Sequence, residues 1–224
     1  MELNKIYNED CLETMKRMPN NFVDLVLTDP PYGMDYQSAW RTASPKYEKI
    51  TGDKDLSWFP DFAKQLYRIL KDNSHIYIFC NDYAISEFRN ELEKVGFTPK
   101  RTLVWVKNNH TSGDLEGDYG NKTEFCLYAQ KGRKELNGKR NTNVLQFSRT
   151  NNTLHPTEKP LDMFSFLLRK SSVENDLIYD PFIGSGTTAR ACMDLNRNYI
   201  GSEISEEYCK IIERRIANSE PELF

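Results

Sequence analysis

The residues best suited to chemistry open with Thr28-Asp29-Pro30-Pro31-Tyr32-Gly33, directly after the apolar run Val23-Asp24-Leu25-Val26-Leu27. Two prolines stiffen the turn and remove two backbone donors, which leaves carbonyl oxygens free to accept hydrogen bonds. An acid, an unblocked carbonyl and an aromatic ring are thereby held on one rigid loop. Such a loop is an acceptor site for a flat ring that carries an amino group. A second constellation runs from Ile178 through Asp180, Phe182, Gly184, Ser185, Gly186 and Thr187, where a strand pattern gives way to a glycine loop and then a helical pattern. The glycines let the backbone approach a ligand closely, and the helix start offers unpaired amide donors to an anionic group. Glu203 follows Gly184 by nineteen residues, at the end of the next strand pattern, where an acid commonly holds ribose hydroxyls. That spacing suits an adenosine cofactor and leaves a dinucleotide and adenosylmethionine both open. The third constellation is His155-Pro156-Thr157-Glu158-Lys159-Pro160. Its prolines set the approach to a helix beginning at Leu161, and Thr157 can cap that helix or donate to a ligand. His155 has no partner ligand at metal spacing, so no zinc site is expected.

Loops of this kind need a sheet behind them. Short β-branched segments alternate with helical patterns, the signature of a mostly parallel sheet with helices on both faces. Strands are expected at 4–8, 23–28, 75–80, 101–107, 123–129, 176–180 and 198–203. Helices are expected at 11–18, 59–70, 83–95, 160–171, 186–195 and 205–217, the last with Ser205 as its cap. Consecutive strands without an intervening helix predict one hairpin at the end of the sheet. In an open parallel sheet ligands bind beyond the carboxyl ends of the strands, where the first two constellations fall. The 224 residues fit a single domain. Three weakly periodic stretches, 33–57, 111–120 and 131–154, flank the motifs, and loops of such length in a compact domain are commonly functional.

The formal charge of −3 gives no global sign of a polyanion partner, so charge is read locally. Lys131, Arg133, Lys134, Lys139, Arg140 and Arg149 face a single acid, Glu135, across 131–149. This is either a solvated loop or a nucleic-acid surface. No apolar run approaches the ~20 residues of a membrane helix, and the first residues lack a basic apolar leader, so a soluble cytoplasmic protein is expected. Five scattered cysteines argue against a disulfide framework and predict buried free thiols.

Read together, Asn8-Glu9-Asp10-Cys11, Asp29-Pro30-Pro31-Tyr32-Gly33, Val104-Trp105-Val106-Lys107, the segment 155–160 and Asp180 to Thr188 resemble, in that order, the DNA amino-methyltransferases of adenine N6 and cytosine N4. The order is that of the family's beta group, in which the catalytic half precedes the cofactor half. The resemblance implies a Rossmann-like, adenosylmethionine-dependent fold with a seven-stranded, mostly parallel sheet, circularly permuted so that its usual third strand is N-terminal and its second lies near the C-terminus. It implies S-adenosyl-L-methionine as cofactor and DNA as partner, with no metal and no membrane; a homodimer stays open. Carried over by position, Asp29 and the carbonyl of Pro30 would accept the two amine hydrogens, with Pro31 beside them and Tyr32 stacking on the flipped base. Asp180, Phe182, Gly184, Ser185, Gly186 and Thr187 would line the cofactor pocket, and Glu203 would hold the ribose. Asp10 would sit near the cofactor's adenine; Thr157, Lys159 and Pro160 would border its methionine end. The segment 131–154 is the expected recognition insertion. Adenine is favoured over cytosine because the loop begins with Asp29 rather than Ser. A nucleotide-sugar or nicotinamide enzyme would leave the Asp29 loop idle, and a DNA-binding module would leave both loops idle; RNA or a protein amide is a remoter substrate.

Overall fold

In the computed structural model the described residues are 1–31, 56–110, 116–150 and 158–217. They form one eight-stranded sheet in the order β1-β8-β7-β2-β3-β5-β4-β6. The strands are β1 (Lys5–Tyr7), β2 (Val23–Thr28), β3 (Leu70–Cys80), β4 (Thr98–Val106), β5 (Thr123–Lys131), β6 (Val144–Gln146), β7 (Leu177–Asp180) and β8 (Asn198–Ser202). The helices are α1 (Cys11–Arg17), α2 (Phe59–Ile69), α3 (Ile85–Val95), α4 (Leu161–Ser171), α5 (Thr187–Asp194) and α6 (Glu206–Ala217). β1 pairs in parallel with β8, the last strand among the described residues, and β8 with β7. The N-terminal strand thus closes onto the C-terminal one, the arrangement expected of a permuted order.

Period-two alternation assigns the two faces. Along β2 and β3, Val26, Ile76, Ile78 and Cys80 join the core under α1, α2 and α3, as does Val23 across the register shift that precedes Leu25. Leu25, Leu27, Tyr77 and Phe79 turn to the other face, under α4, α5 and α6. A strand buried on both sides must be apolar at nearly every position, which is why β2 reads as a continuous run. On the first face the rings of Phe59 and Phe88 stack with centroids 3.9 Å apart, joining α2 to α3. α3 stops at Gly96, whose φ of 109° only glycine adopts freely, and whose missing Cβ would lie 3.0 Å from the Tyr67 ring.

Two differences from expectation have local causes. β3 begins before residue 75 because Leu70 also pairs with Val23, and a bulge with Asn73 at φ 57° separates that contact from the regular ladder starting at His75. The hairpin β4–β5 does not end the sheet. An eighth strand, β6, pairs in parallel with β4 inside the expected recognition insertion, with only Leu145 of its three residues buried. Three residues are too short for alternation to be read from sequence.

All five cysteines are free and buried. No helix among the described residues is long and apolar enough to cross a membrane. Under α4, His75 is fully buried. Lys134's carbonyl can only accept, so His75 Nε2 carries the proton and donates to it at 3.0 Å, while Nδ1 accepts from Ser171 Oγ at 2.8 Å. Burial pushes the imidazole down to about 4. A histidine with a depressed folded pKa binds its proton more readily when unfolded, so stability is lost as pH falls from about 6.5 to about 4. The loss should reach roughly 3 kcal/mol. Denaturant melts of His75→Gln and the parent across that window should converge on acidification; parallel curves would remove His75 as the cause.

Candidate active site

The sheet order reverses between β7 and β2, which pair in parallel through Leu25 with Ile178 and Val26 with Tyr179. The loop after β2 and the glycine loop after β7 therefore leave the same end of the sheet side by side. Such a crevice is where ligands bind in folds of this type.

Asp29 stands at the mouth of the crevice with 19% of its side chain exposed, and its Oδ2 accepts from Lys159 Nζ. Lys159, on the segment leading into α4, is 6% exposed and also lies 3.2 Å from Glu124 Oε2 on β5. Glu124 Oε1 in turn pairs with Lys107 Nζ at 2.7 Å, just beyond β4. Four charges thus alternate across four segments of the chain. Burial pushes the Asp29 carboxyl up to about 6, against the opposing pull of the Lys159 ammonium. Burial works to strip Lys159 of its proton, but Asp29 and Glu124 outweigh it and hold the ammonium above its ordinary range. For Glu124, Lys159 and Lys107 overcome the effect of burial and keep the carboxyl low. Pro30 is buried and Pro31 half-buried beside Asp29. Tyr32 and Thr157 lie outside the described residues, as do His155 and residues 33–55 and 111–115.

The glycine loop is tied from several directions. Asp180 is 3% exposed; its Oδ1 accepts from Phe182 N at 3.1 Å and its Oδ2 from Thr188 Oγ1. Burial raises its carboxyl to about 7. Its contacts fold the turn. Glu203 accepts from Gly184 N at 3.1 Å and from Ser205 N at 2.9 Å, so both oxygens are fixed at the end of β8. Burial raises its carboxyl while those amide bonds oppose the rise. Gly184 and Gly186 have φ of 54° and 80°. At Gly186 a Cβ would meet Ile212 of α6 at 2.8 Å, so that glycine answers to helix packing, where the sequence suggested approach to a ligand. Phe182 leans edge-on against Trp58, with ring centroids 5.7 Å apart. Ser185 and Thr187 are buried, and Thr187 Oγ1 donates to Lys159 O at 3.4 Å. Asp10 caps α1 through Leu12 N at 2.7 Å. Two residues before it, Asn8 Nδ2 donates to Glu203 O at 2.9 Å, and the Glu203 N–H donates to Tyr7 O at the end of β1.

The loop's left-handed backbone, an α5 N-terminus with no side-chain cap, and a carboxylate fixed nearby form a cradle that fits an adenosine cofactor. Among the described residues no group of three or more His, Cys, Asp or Glu could hold a metal ion.

The basic segment does not form one surface: Lys131 and Lys134, expected at a nucleic-acid surface, are turned inward. Lys131 pairs opposite Ser74, at the end of the sheet remote from Asp29. It is buried, and its ammonium donates to Asn21 Oδ1, Tyr67 O and Leu70 O at 2.8–3.0 Å. An ammonium so saturated has no donor left for a phosphate. Lys134 Nζ is likewise turned inward, onto Ser171 O at 3.0 Å. Lys139 is at the same remote end, its carbonyl accepting from Lys170 Nζ at 2.6 Å; Arg133 and Arg140 are exposed on that stretch. From there β6 carries the chain up the sheet edge, so that only Arg149, bonded through its N–H to Asn108 Oδ1, reaches the catalytic end.

Three site residues escaped the sequence reading. Lys107 ends the Val104–Lys107 motif without an assigned role, Glu124 is an acid beside the apolar run Phe125–Ala129, and Arg215 sits on an amphipathic helix. Arg215 donates to Ser185 O at 2.9 Å and pairs with the buried Glu158 at 3.0 Å, linking α6 to both loops.

Residues 23–214 match the family profile described as DNA methylase, for N6 and N4 methyltransferases. The chain is 31% identical to the protein named "Putative methylase YubD" of Escherichia coli K12, over 96% of this chain and 91% of that one. The crystal structure of an M1.HpyAVI–SAM complex superposes with a TM-score of 0.73 at 30% identity, covering 94% of this chain and 98% of that chain. The cytosine-N4-specific PvuII DNA methyltransferase superposes with a TM-score of 0.79 at 18% identity, covering 98% and 88%, a likeness of fold alone.

Proposed function

The chain belongs to the DNA methylase family of N6 and N4 amino-methyltransferases, and from that premise we propose that its target is the N6 amine of adenine in DNA. S-adenosyl-L-methionine is the methyl donor of the family. The observation that carries the choice of base is the acid at the head of the loop, Asp29, held by Lys159 at the mouth of the crevice.

An exocyclic amine is a poor nucleophile because its lone pair is delocalised into the ring. Asp29 and the Pro30 carbonyl accept its two hydrogens, draw the nitrogen toward tetrahedral geometry and stabilise the positive charge that grows during attack. Pro31 keeps the turn rigid, and Tyr32 stacks on the base, offsetting the few kcal/mol that unstacking costs. The cofactor, when bound, supplies a methyl group on a sulfonium, already a good leaving group. Glu203, Gly184 and the start of α5 with Thr187 hold it; Phe182 and Ser185 shape the pocket, Asp180 fixes the turn, Asp10 lies toward the adenine, and Thr157, Lys159 and Pro160 border the methionine end. Orientation of the reactants supplies most of the effect, about 7–11 kcal/mol for well-aligned groups.

Digestion of the methylated DNA to nucleosides should yield N6-methyldeoxyadenosine. N4-methyldeoxycytidine as the sole product would overturn the choice of base and leave the amine chemistry standing. Labelled transfer to RNA and protein in parallel should give nothing above background.

A further inference from the structure

We propose that Glu124 is a positioning residue for the reaction: its Oε2 is a second berth onto which the Lys159 ammonium moves when the target amine comes to Asp29. The proposal rests on the amino-methyltransferase reading above. A carboxylate accepts an amine hydrogen well only if a nearby cation does not hold the same lone pair, and Lys159 Nζ sits on Asp29 Oδ2. Removing that cation altogether would leave a buried carboxylate uncompensated, which is costly. The structure meets both demands. Glu124 Oε2 is buried, has no directed hydrogen bond among the described residues, and lies 3.2 Å from the same ammonium. A lysine ammonium carries three donors on a flexible stem, so a small rotation exchanges one carboxylate for the other. Lys107 anchors the opposite oxygen, Oε1, so the berth cannot follow the lysine toward Asp29. The Phe79 ring lies 5.4 Å from Nζ and offers a polarisable wall to the moving charge.

The charged and titratable groups that act on Asp29 from the packed elements are Lys159, Glu124 and Lys107. Its influence also reaches the thiols of Cys80 on β3 and Cys126 on β5 and the carboxyl of Asp180 on β7. Among them Glu124 favours the protonated Asp29, whereas Lys159 and Lys107 favour the ionised one. The variants therefore have opposite signs. Glu124→Gln keeps the volume but removes the berth's charge, leaving Lys159 clamped on Asp29. The single-turnover rate at saturating cofactor and DNA should fall on the order of 10-fold or more, and its acid limb should move to lower pH. Lys107→Met should move that limb to higher pH. Glu124→Asp should recover part of the rate, and calorimetric affinity for S-adenosylmethionine should stay within a few-fold in all three.

NMR titration of the Asp29 carboxyl in the free protein should show the same two displacements without any turnover. A Glu124→Gln rate within twofold of the parent, a limb unmoved in both variants, or a rate loss matched by lost cofactor or DNA affinity would overturn the proposal. Should Glu124→Gln not fold, Glu124→Asp decides: its shorter carboxylate draws the berth away from Lys159, so a rate equal to the parent's would overturn the proposal. A parent chain that methylates no DNA would bring down the underlying reading instead, and the 15N shift of the Lys159 ammonium in the free protein, expected to differ between the parent and Glu124→Asp, would still decide whether Glu124 holds it.

Discussion

Asp29→Ala is expected to slow methyl transfer on the order of 10²-fold or more, the usual cost of deleting a group that meets charge in the transition state. Affinity for S-adenosylmethionine should change little, because the cradle of Gly184 and Glu203 follows β7 and β8, whereas Asp29 follows β2. The parent's rate should fall as pH drops through about 6, where burial places the Asp29 carboxyl, because only the ionised form is a charged acceptor for the amine hydrogen. The variant's residual rate should lack that limb. Removing Asp29 also leaves Lys159 with Glu124 as its remaining carboxylate, and breaking a buried pair typically costs about 3–5 kcal/mol. Thermal melts must therefore accompany the kinetics, and the rate should be read at a temperature where both proteins are folded. Activity within threefold of the parent, with the acid limb intact, would remove Asp29 from the reaction.

How much of this was legible depends on whether a signal is local in the chain. β2 is readable because a strand buried on both faces has to be apolar throughout, and the loop after it is readable because Pro30 and Pro31 punctuate it. Glu203 announces itself by its place at the end of a strand. The charge chain behind Asp29 is a different case: Lys107, Glu124 and Lys159 come from three separate segments and meet only because β4, β5 and the approach to α4 are neighbours in the sheet. No periodicity encodes that meeting. The inward turn of Lys131 and Lys134 is the converse case. The six basic charges of 131–149 lie close in sequence, but β6 draws the chain along the sheet edge, and Lys131 is turned onto Asn21 Oδ1 and the carbonyls of Tyr67 and Leu70. Local density of charge is a surface signal only when the backbone stays on one surface. At Gly186 sequence cannot say which neighbour excludes a side chain; the structure adds Ile212 of α6 to whatever the loop binds.

Glu203→Ala should weaken S-adenosylmethionine binding on the order of 10²-fold. Two effects combine. Hydrogen bonds to a charged acceptor contribute about 1.5–3 kcal/mol each, and each 1.4 kcal/mol is about tenfold in affinity. The variant also frees the N–H groups of Gly184 and Ser205, which Glu203 holds at 3.1 and 2.9 Å, so the glycine loop loses the tie that presents its backbone to a ligand. Glu203→Gln separates the contributions: one amide oxygen can keep a single backbone tie, but the charge on the ribose hydroxyls is lost, so its affinity should fall between parent and Ala. Gly184→Val acts on the same loop by another route, since a β-branched residue at φ 54° is strained and the backbone must turn away. Calorimetry on all four proteins should give the order parent, Glu203→Gln, Glu203→Ala, with Gly184→Val near the last. Parent-like affinity in both Glu203→Ala and Gly184→Val would place the adenosine elsewhere than between β7 and β8.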